Sequence, residues 1–282
     1  MSVLKKFAAA VLAAGAAVAM TPAKAVVVGG IDFGAVGLFS HIETATIAAS
    51  FVNASGQVTQ SYGLISTVNG DSTYCADGSA NCALYFVTSA TVSATPGTDL
   101  YFSGSNVTVY YSNVAAVNLL GQDSTANLAY ITGLAKWATL KGENGVDPSA
   151  AGLVSDTKLT QALTGASITA SGGGLLSVDT TDGLGIAGVE AFLNANTIPT
   201  FLGGFADIAY TESANNFVLN PFDLAGAGGD SCLTGAPQVG DWCLAGSADL
   251  RGRTVIVPAP GSLALLGLGL VGIGAIRRST KK

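Results

Sequence analysis

The chain has 282 residues, of which 49% are hydrophobic and only 11% charged, with 37 glycines and a single histidine, His41. That count excludes multi-histidine metal centres, and a formal charge of −6 argues against nucleic acid as a partner. At the N-terminus, Lys5 and Lys6 precede an apolar run from Phe7 to Met20, and Ala23-Lys24-Ala25 fits the small-x-small rule for signal-peptide cleavage. Residues 1–25 are therefore expected to leave as a signal peptide, with cleavage after Ala25 and a mature chain starting at Val26.

The body, residues 26–256, is long enough for one large or two small domains. It holds all 18 acidic residues but only five of the 12 basic ones, a formal −13 once both ends are removed. Such a surface repels nucleic acid and anionic lipid and favours solubility outside the cell. Period-two segments rich in β-branched and aromatic residues recur: Gln57 to Val68, Val107-Thr108-Val109-Tyr110-Tyr111, and Phe205 to Tyr210. Turn signals separate them at Asn53-Ala54-Ser55-Gly56, Asn69-Gly70-Asp71, Pro96-Gly97, Asn144-Gly145 and Gly172-Gly173-Gly174. Leu128 to Leu140 alternates well enough for a long strand, although its alanines also suit a helix, and Gly188 to Asn194 is the best short helix. The expectation is an all-β fold, an antiparallel, jelly-roll-like β-sandwich with at most a few short helices. A parallel β-solenoid ranks second, since no fixed-period repeat supports it.

Cys75, Cys82, Cys232 and Cys243 make an even count in an exported chain. Their spacing favours the local bridges Cys75–Cys82 and Cys232–Cys243, each across a polar loop, over a zinc site, which uses shorter gaps. Catalytic chemistry finds little footing. His41 stands near Glu43 and Asp32, but no serine occupies a G-x-S-x-G elbow, and a lone histidine in His41-Ile42-Glu43-Thr44 reads as a surface residue. Glycoside hydrolysis needs two opposed carboxylates, and Glu43, Glu143, Glu190 and Glu212 supply candidates, yet Trp137 and Trp242 are the only tryptophans available for sugar stacking. Asp179-Thr180-Thr181-Asp182-Gly183 is the nearest approach to a calcium loop, without the further ligands of an EF-hand, and reads as a turn. No catalytic residue, metal site or cofactor is expected.

At the C-terminus, Val257-Pro258-Ala259-Pro260-Gly261 leads into the apolar stretch Ser262 to Ile276 and then Arg277, Arg278, Lys281 and Lys282. Fifteen helical residues reach about 22 Å, a marginal span of a roughly 30 Å hydrocarbon core, which snorkelling arginines help to complete. The basic residues should stay cytoplasmic and leave the body outside. Pro258 and Pro260 keep the preceding segment extended. This order of parts resembles the PEP-CTERM signal of Gram-negative bacteria: a Pro-Glu-Pro core, a short glycine-rich membrane helix and an arginine-rich end. Here alanine, Ala259, stands where that core has glutamate. The resemblance implies a sorting signal over 257–282 with a transmembrane helix at 262–276, a membrane-bound intermediate, and processing at the core by an exosortase.

The body also resembles flocculation-associated PEP-CTERM proteins, in Tyr62-Gly63-Leu64 with Val68-Asn69-Gly70, in Val107 to Tyr111, and in Phe217-Val218-Leu219-Asn220-Pro221-Phe222. That likeness implies a surface or matrix protein associated with exopolysaccharide, in adhesion, biofilm or floc formation, and non-enzymatic. A surface carbohydrate-active enzyme of glycoside hydrolase type is the alternative.

Overall fold

In the computed structural model, the described residues are 26–34, 40–145, 155–165, 167–181, 185, 186, 188–216 and 238–253. They open with a small hairpin, β1 (Val27–Val28) and β2 (Ile31–Asp32). Four long strands follow as a meander: β3 (Ser40–Ser50), β4 (Val58–Val68), β5 (Ala83–Ala94) and β6 (Asp99–Ser112). A helix, α1 (Ser124–Thr132), precedes β7 (Ala135–Glu143), β8 (Thr157–Thr164) and β9 (Ser167–Val178). A short helix, α2 (Val189–Leu193), and a two-stranded ribbon, β10 (Ile198–Pro199) with β11 (Phe205–Ala206), lead to β12 (Ile208–Asn215) and β13 (Trp242–Gly252).

The long strands close on themselves. Antiparallel pairing runs β3-β4-β5-β6-β7-β9-β12-β13 and returns from β13 to β3, an eight-stranded barrel. The seam between β6 and β9 is shared. β7 pairs with the second half of β6 (Asn106 to Tyr111), whereas β8 takes its first residues, Asp99 to Phe102. The expected two-layer sandwich is thus corrected to one closed sheet. Closure removes the exposed hydrogen-bonding edges that a sandwich would leave.

Two local expectations also change. Gly172-Gly173-Gly174 is not a turn; it lies within β9, flanked by β8 on one side and β12 on the other. A Cβ on Gly173 would stand 2.2 Å from the Tyr210 carbonyl oxygen, so these glycines serve close backbone approach. Leu128 to Leu140 is not one strand. Asp123 caps α1, its Oδ1 accepting from Ala126 N–H at 2.7 Å, and Gly133 ends the helix before β7 begins. By contrast, α2 falls within the expected helix, between Gly188 and Asn194. Asn69 and Gly70 also form the expected turn, at φ 52° and 80°, with Val68 bridged to Asp71.

The core fills one end of the barrel. Ile65, Leu84, Phe86, Val109, Leu176 and Leu250 point inward there, and the β1–β2 hairpin and α2 close it with Phe33, Val189 and Phe192. Trp137, fully buried, donates its indole N–H to the Gly29 carbonyl at 3.0 Å and pins the hairpin in place. The second helix-sheet contact is distinct: α1 lies against another buried cluster, with Ile131 packed among Tyr62, Ala83 and Tyr85. Buried Asn127 ties it to the sheet by donating to the Tyr62 hydroxyl and the Leu119 carbonyl.

Candidate functional site

Above the apolar end the barrel interior changes character. Along β5 the inward residues run Leu84, Phe86, Thr88, Ala90 and Val92, so hydroxyls appear at mid-barrel and apolar groups return beyond them. The same change occurs on β4, where Ile65 gives way to Ser61 and Thr59. Ser61 and Thr88 stand opposite each other in register and share a hydrogen bond of 2.5 Å. On β12, Ile208 in the core is followed by Tyr210, Glu212 and Ala214 on the cavity.

These positions line a cavity in which about 70 Å³ is open to the centre of a water molecule. Its polar groups include Glu212, Tyr210, Thr157, Gln161, Ser105, Asn106 and the Ser61–Thr88 pair, and Val52, Leu100, Phe102, Leu159, Leu176 and Leu244 supply apolar wall. Ser105 and Thr157 link β6 to β8 by a 3.3 Å hydroxyl contact. The glycines of β9 let β8 pack closely beside this space: a Cβ on Gly172 would stand 1.9 Å from the Lys158 carbonyl oxygen, and one on Gly174 2.3 Å from that of Asp156. Gly172 stands opposite Glu212 and Gly174 opposite Tyr210 in register, and residues directly opposite share a face.

Among the described residues, Glu212 is the only carboxylate in this lining, and no lysine, arginine or histidine joins it. Both Glu212 and Tyr210 keep part of their surface on the cavity, but protein surrounds them on every side. Burial pushes the Glu212 carboxyl up to about 7, against the opposing pull of the Tyr210 hydroxyl. Burial also raises Tyr210 well above a normal phenol, and Glu212 adds to the shift. The arrangement can hold one proton or one positive charge at a fixed place in an otherwise neutral chamber.

The residues singled out in the sequence lie elsewhere. His41 is in β3, opposite Arg251 in register, and its side chain lies outside the described residues. Glu43 accepts from the Thr67 hydroxyl at 2.5 Å, and Asp32 accepts from Gly34 N–H at 2.7 Å. Neither lines the cavity, and neither do Glu143 and Glu190. Trp242 is also absent from the lining; its ring meets Tyr62 edge-on at 5.2 Å. Asp179 accepts from the Thr181 N–H and hydroxyl and pairs with Lys141 at 2.7 Å, while 182–184 lie outside the described residues. Among the described residues, no group of three or more His, Cys, Asp or Glu gathers as metal ligands.

Cys75 and Cys82 are bridged. Cys243 is also in a disulfide, and Cys232 lies outside the described residues. Ala23, Ala25, Phe217 to Phe222 and everything from Val257 to Lys282 lie outside them too. No helix among the described residues is long and apolar enough to cross a membrane. Glu212 had one available signal: the face Ile208, Tyr210, Glu212, Ala214 carries the apolar residues of β12, so a carboxylate on it is out of place.

Comparison with known proteins bears on the C-terminal end. Residues 257–279 match the PEP-CTERM protein-sorting motif. No curated protein and no solved structure matches the chain. The motif lies at the end of the chain, after the barrel's last strand, where the sequence has two prolines, a short apolar stretch and a basic tail. The chain is an exported protein that carries a PEP-CTERM sorting signal, the kind handled by exosortases, which implies a surface or extracellular location in Gram-negative bacteria.

Proposed function

We propose that this protein is a non-enzymatic component of the cell surface or extracellular matrix, acting in exopolysaccharide-associated adhesion, biofilm or floc formation. The observation that carries the reading is the sorting motif at 257–279, joined to an acidic body that folds as a closed barrel. A closed sheet offers no strand edge for unwanted pairing, which suits a protein held at high density in a matrix. The body's formal −13 favours solvation and attraction to cationic groups. Glycoside hydrolysis, the competing reading, requires two carboxylates facing across a sugar. Glu212 stands alone among carboxylates in the cavity lining, and neither tryptophan lines it, which favours the matrix role.

Deleting the gene in the native host should weaken aggregation or surface attachment while polysaccharide synthesis continues. Intact-mass analysis of the protein from envelope and medium should show loss of 1–25 and of the chain beyond the Pro258–Pro260 region. Unchanged aggregation in the deletion strain would refute the matrix role. A recovered mass that still includes Arg277 to Lys282 would reduce the signal to an uncut anchor.

A further inference from the structure

We propose that the barrel cavity is a binding site for a small organic monocation, an ammonium group on a short apolar body, with Glu212 as its counter-ion. Such a site is independent of the matrix role. The cavity lining contains one carboxylate and no basic side chain, so nothing in the lining neutralises Glu212 when it ionises. A buried carboxylate without a counter-ion either takes a proton or takes a cation.

The shape of the lining selects among cations. Around Glu212, the Tyr210, Thr157 and Gln161 side chains supply oxygens that can accept from the three donors of an ammonium group. The same lining includes Val52, Leu100, Phe102 and Leu244, apolar surface that a hydrated inorganic ion would not use. A divalent metal wants six or more oxygen ligands with several carboxylates, and one glutamate does not provide them. A volume of about 70 Å³ corresponds to roughly five to seven water positions, at ~10–15 Å³ each, which is room for a short alkylammonium and not for a sugar chain.

The sequence builds this space. Gly172 and Gly174, opposite Glu212 and Tyr210, let the β8 backbone come close to β9, and Thr157, Leu159 and Gln161 of β8 line the cavity. The lining groups that the other strands contribute are neutral, among them Ala170 on β9; Thr157, Leu159 and Gln161 on β8; Leu244 on β13; Leu100, Phe102, Ser105 and Asn106 on β6; Thr88 and Ser89 on β5; and Thr59 and Ser61 on β4. Tyr210 is the only other titratable group in the lining and stays protonated across the neutral range. The acidic surface adds long-range attraction for a cation.

The test uses the full chain in non-ionic detergent, with n-butylammonium, n-butanol and butyrate as probes followed by calorimetry and ligand-detected NMR. At pH 8 the amine should bind at least tenfold more tightly than the alcohol, and butyrate should not bind. The amine stays charged from pH 8 to pH 5, whereas a carboxyl titrating near 7 goes from about nine-tenths to about one-hundredth ionised, so amine affinity should fall on the order of 100-fold. Glu212→Gln should bring amine affinity down to that of butanol and abolish its pH dependence. If that variant does not fold, the pH series on the unaltered chain tests the same counter-ion role. Equal binding of amine and alcohol, a flat pH profile, an unaltered amine affinity in the folded variant, or no binding of any probe at millimolar concentration would each overturn the proposal.

Discussion

Replacing Glu212 by Gln should make this protein more stable in mild alkali and leave it almost unchanged in mild acid. The folded state holds the Glu212 proton to about 7, whereas an unstructured glutamate releases it near 4.5. Between those values the native chain keeps a proton that the unfolded chain has lost, so stability is full below about 4.5 and declines as pH rises through about 7. At about 1.4 kcal/mol per pH unit, the loss by pH 8 comes to a little over 3 kcal/mol. This is an upper bound, because the carboxyl keeps part of its surface on the cavity. Glutamine has no charge to bury and avoids the loss, and a body of this length gains about 2–4 °C per kcal/mol, so its midpoint at pH 8 should rise by up to roughly 6–12 °C. Thermal and urea unfolding of both proteins from pH 5 to pH 8.5 measures this directly. Two stability curves that stay parallel across the range would show that Glu212 is not enclosed by the barrel.

Three further outcomes follow from single contacts. Gly173→Ala places a methyl group 2.2 Å from the Tyr210 carbonyl oxygen and 3.2 Å from Thr211 Cα, so the β9–β12 closure must shift; a drop of about 1–3 kcal/mol in urea unfolding is expected. Lys141→Met removes the ammonium group that, with Thr181, holds the Asp179 carboxyl at about 2. That contribution exists above the ordinary aspartate range and disappears as pH falls through about 2, so an NMR titration of Asp179 should move upward while stability at pH 7 changes by less than about 1 kcal/mol, the lysine being largely exposed. Replacing both Cys75 and Cys82 by Ser opens a bridge between residues seven apart and should cost roughly 2.5 kcal/mol by loop-closure entropy. Because Cys75 is bridged to Ile31, amide exchange in the β1–β2 hairpin should quicken in the same variant.

What the sequence reveals divides along the range of the interactions involved. Strands such as Val58–Val68 and the turn at Asn69-Gly70 depend on neighbouring residues, and alternation with turn chemistry locates them. Barrel closure does not. It rests on β13 meeting β3, with Leu250 opposite Ile42, and on β12 meeting β9, and no local pattern distinguishes these pairings from those of a sandwich. Glycine carries the same ambiguity: Gly172-Gly173-Gly174 has a turn's composition, but it serves as a strand against which two backbones press. In Leu128 to Leu140, alternation masked a helix because Asp123 and Gly133 cap only nine residues, too few for a clear helical period. Glu212 was visible only as one glutamate among several. Its meaning came from the closure that sets it within a chamber whose lining holds no basic side chain. The C-terminal motif was legible because its parts are read in linear order and require no fold.

The join between barrel and signal sets a geometric condition on processing. β13 ends at Gly252, and the sorting motif begins at residue 257. Five Cα-to-Cα steps, even fully extended, span roughly 17 Å. The barrel rim where Gly252 pairs with Ile208 and Ser40 must therefore lie within about that distance of Val257. With processing at Pro258 to Pro260, as proposed, the enzyme has to admit that segment into its site without colliding with a folded domain this close. Deleting residues 253–256 leaves every pairing of β13 intact and draws the motif against the rim. The processed fraction in the native host should fall severalfold, while circular dichroism of the recovered protein remains that of the parent. Inserting a six-residue Gly-Ser segment after Arg253 should leave processing unchanged or raise it, since the added length relieves the clash at little entropic cost. Equal processing of the deleted, parental and extended chains would show that the enzyme needs no clearance from the barrel and that the spacing is incidental.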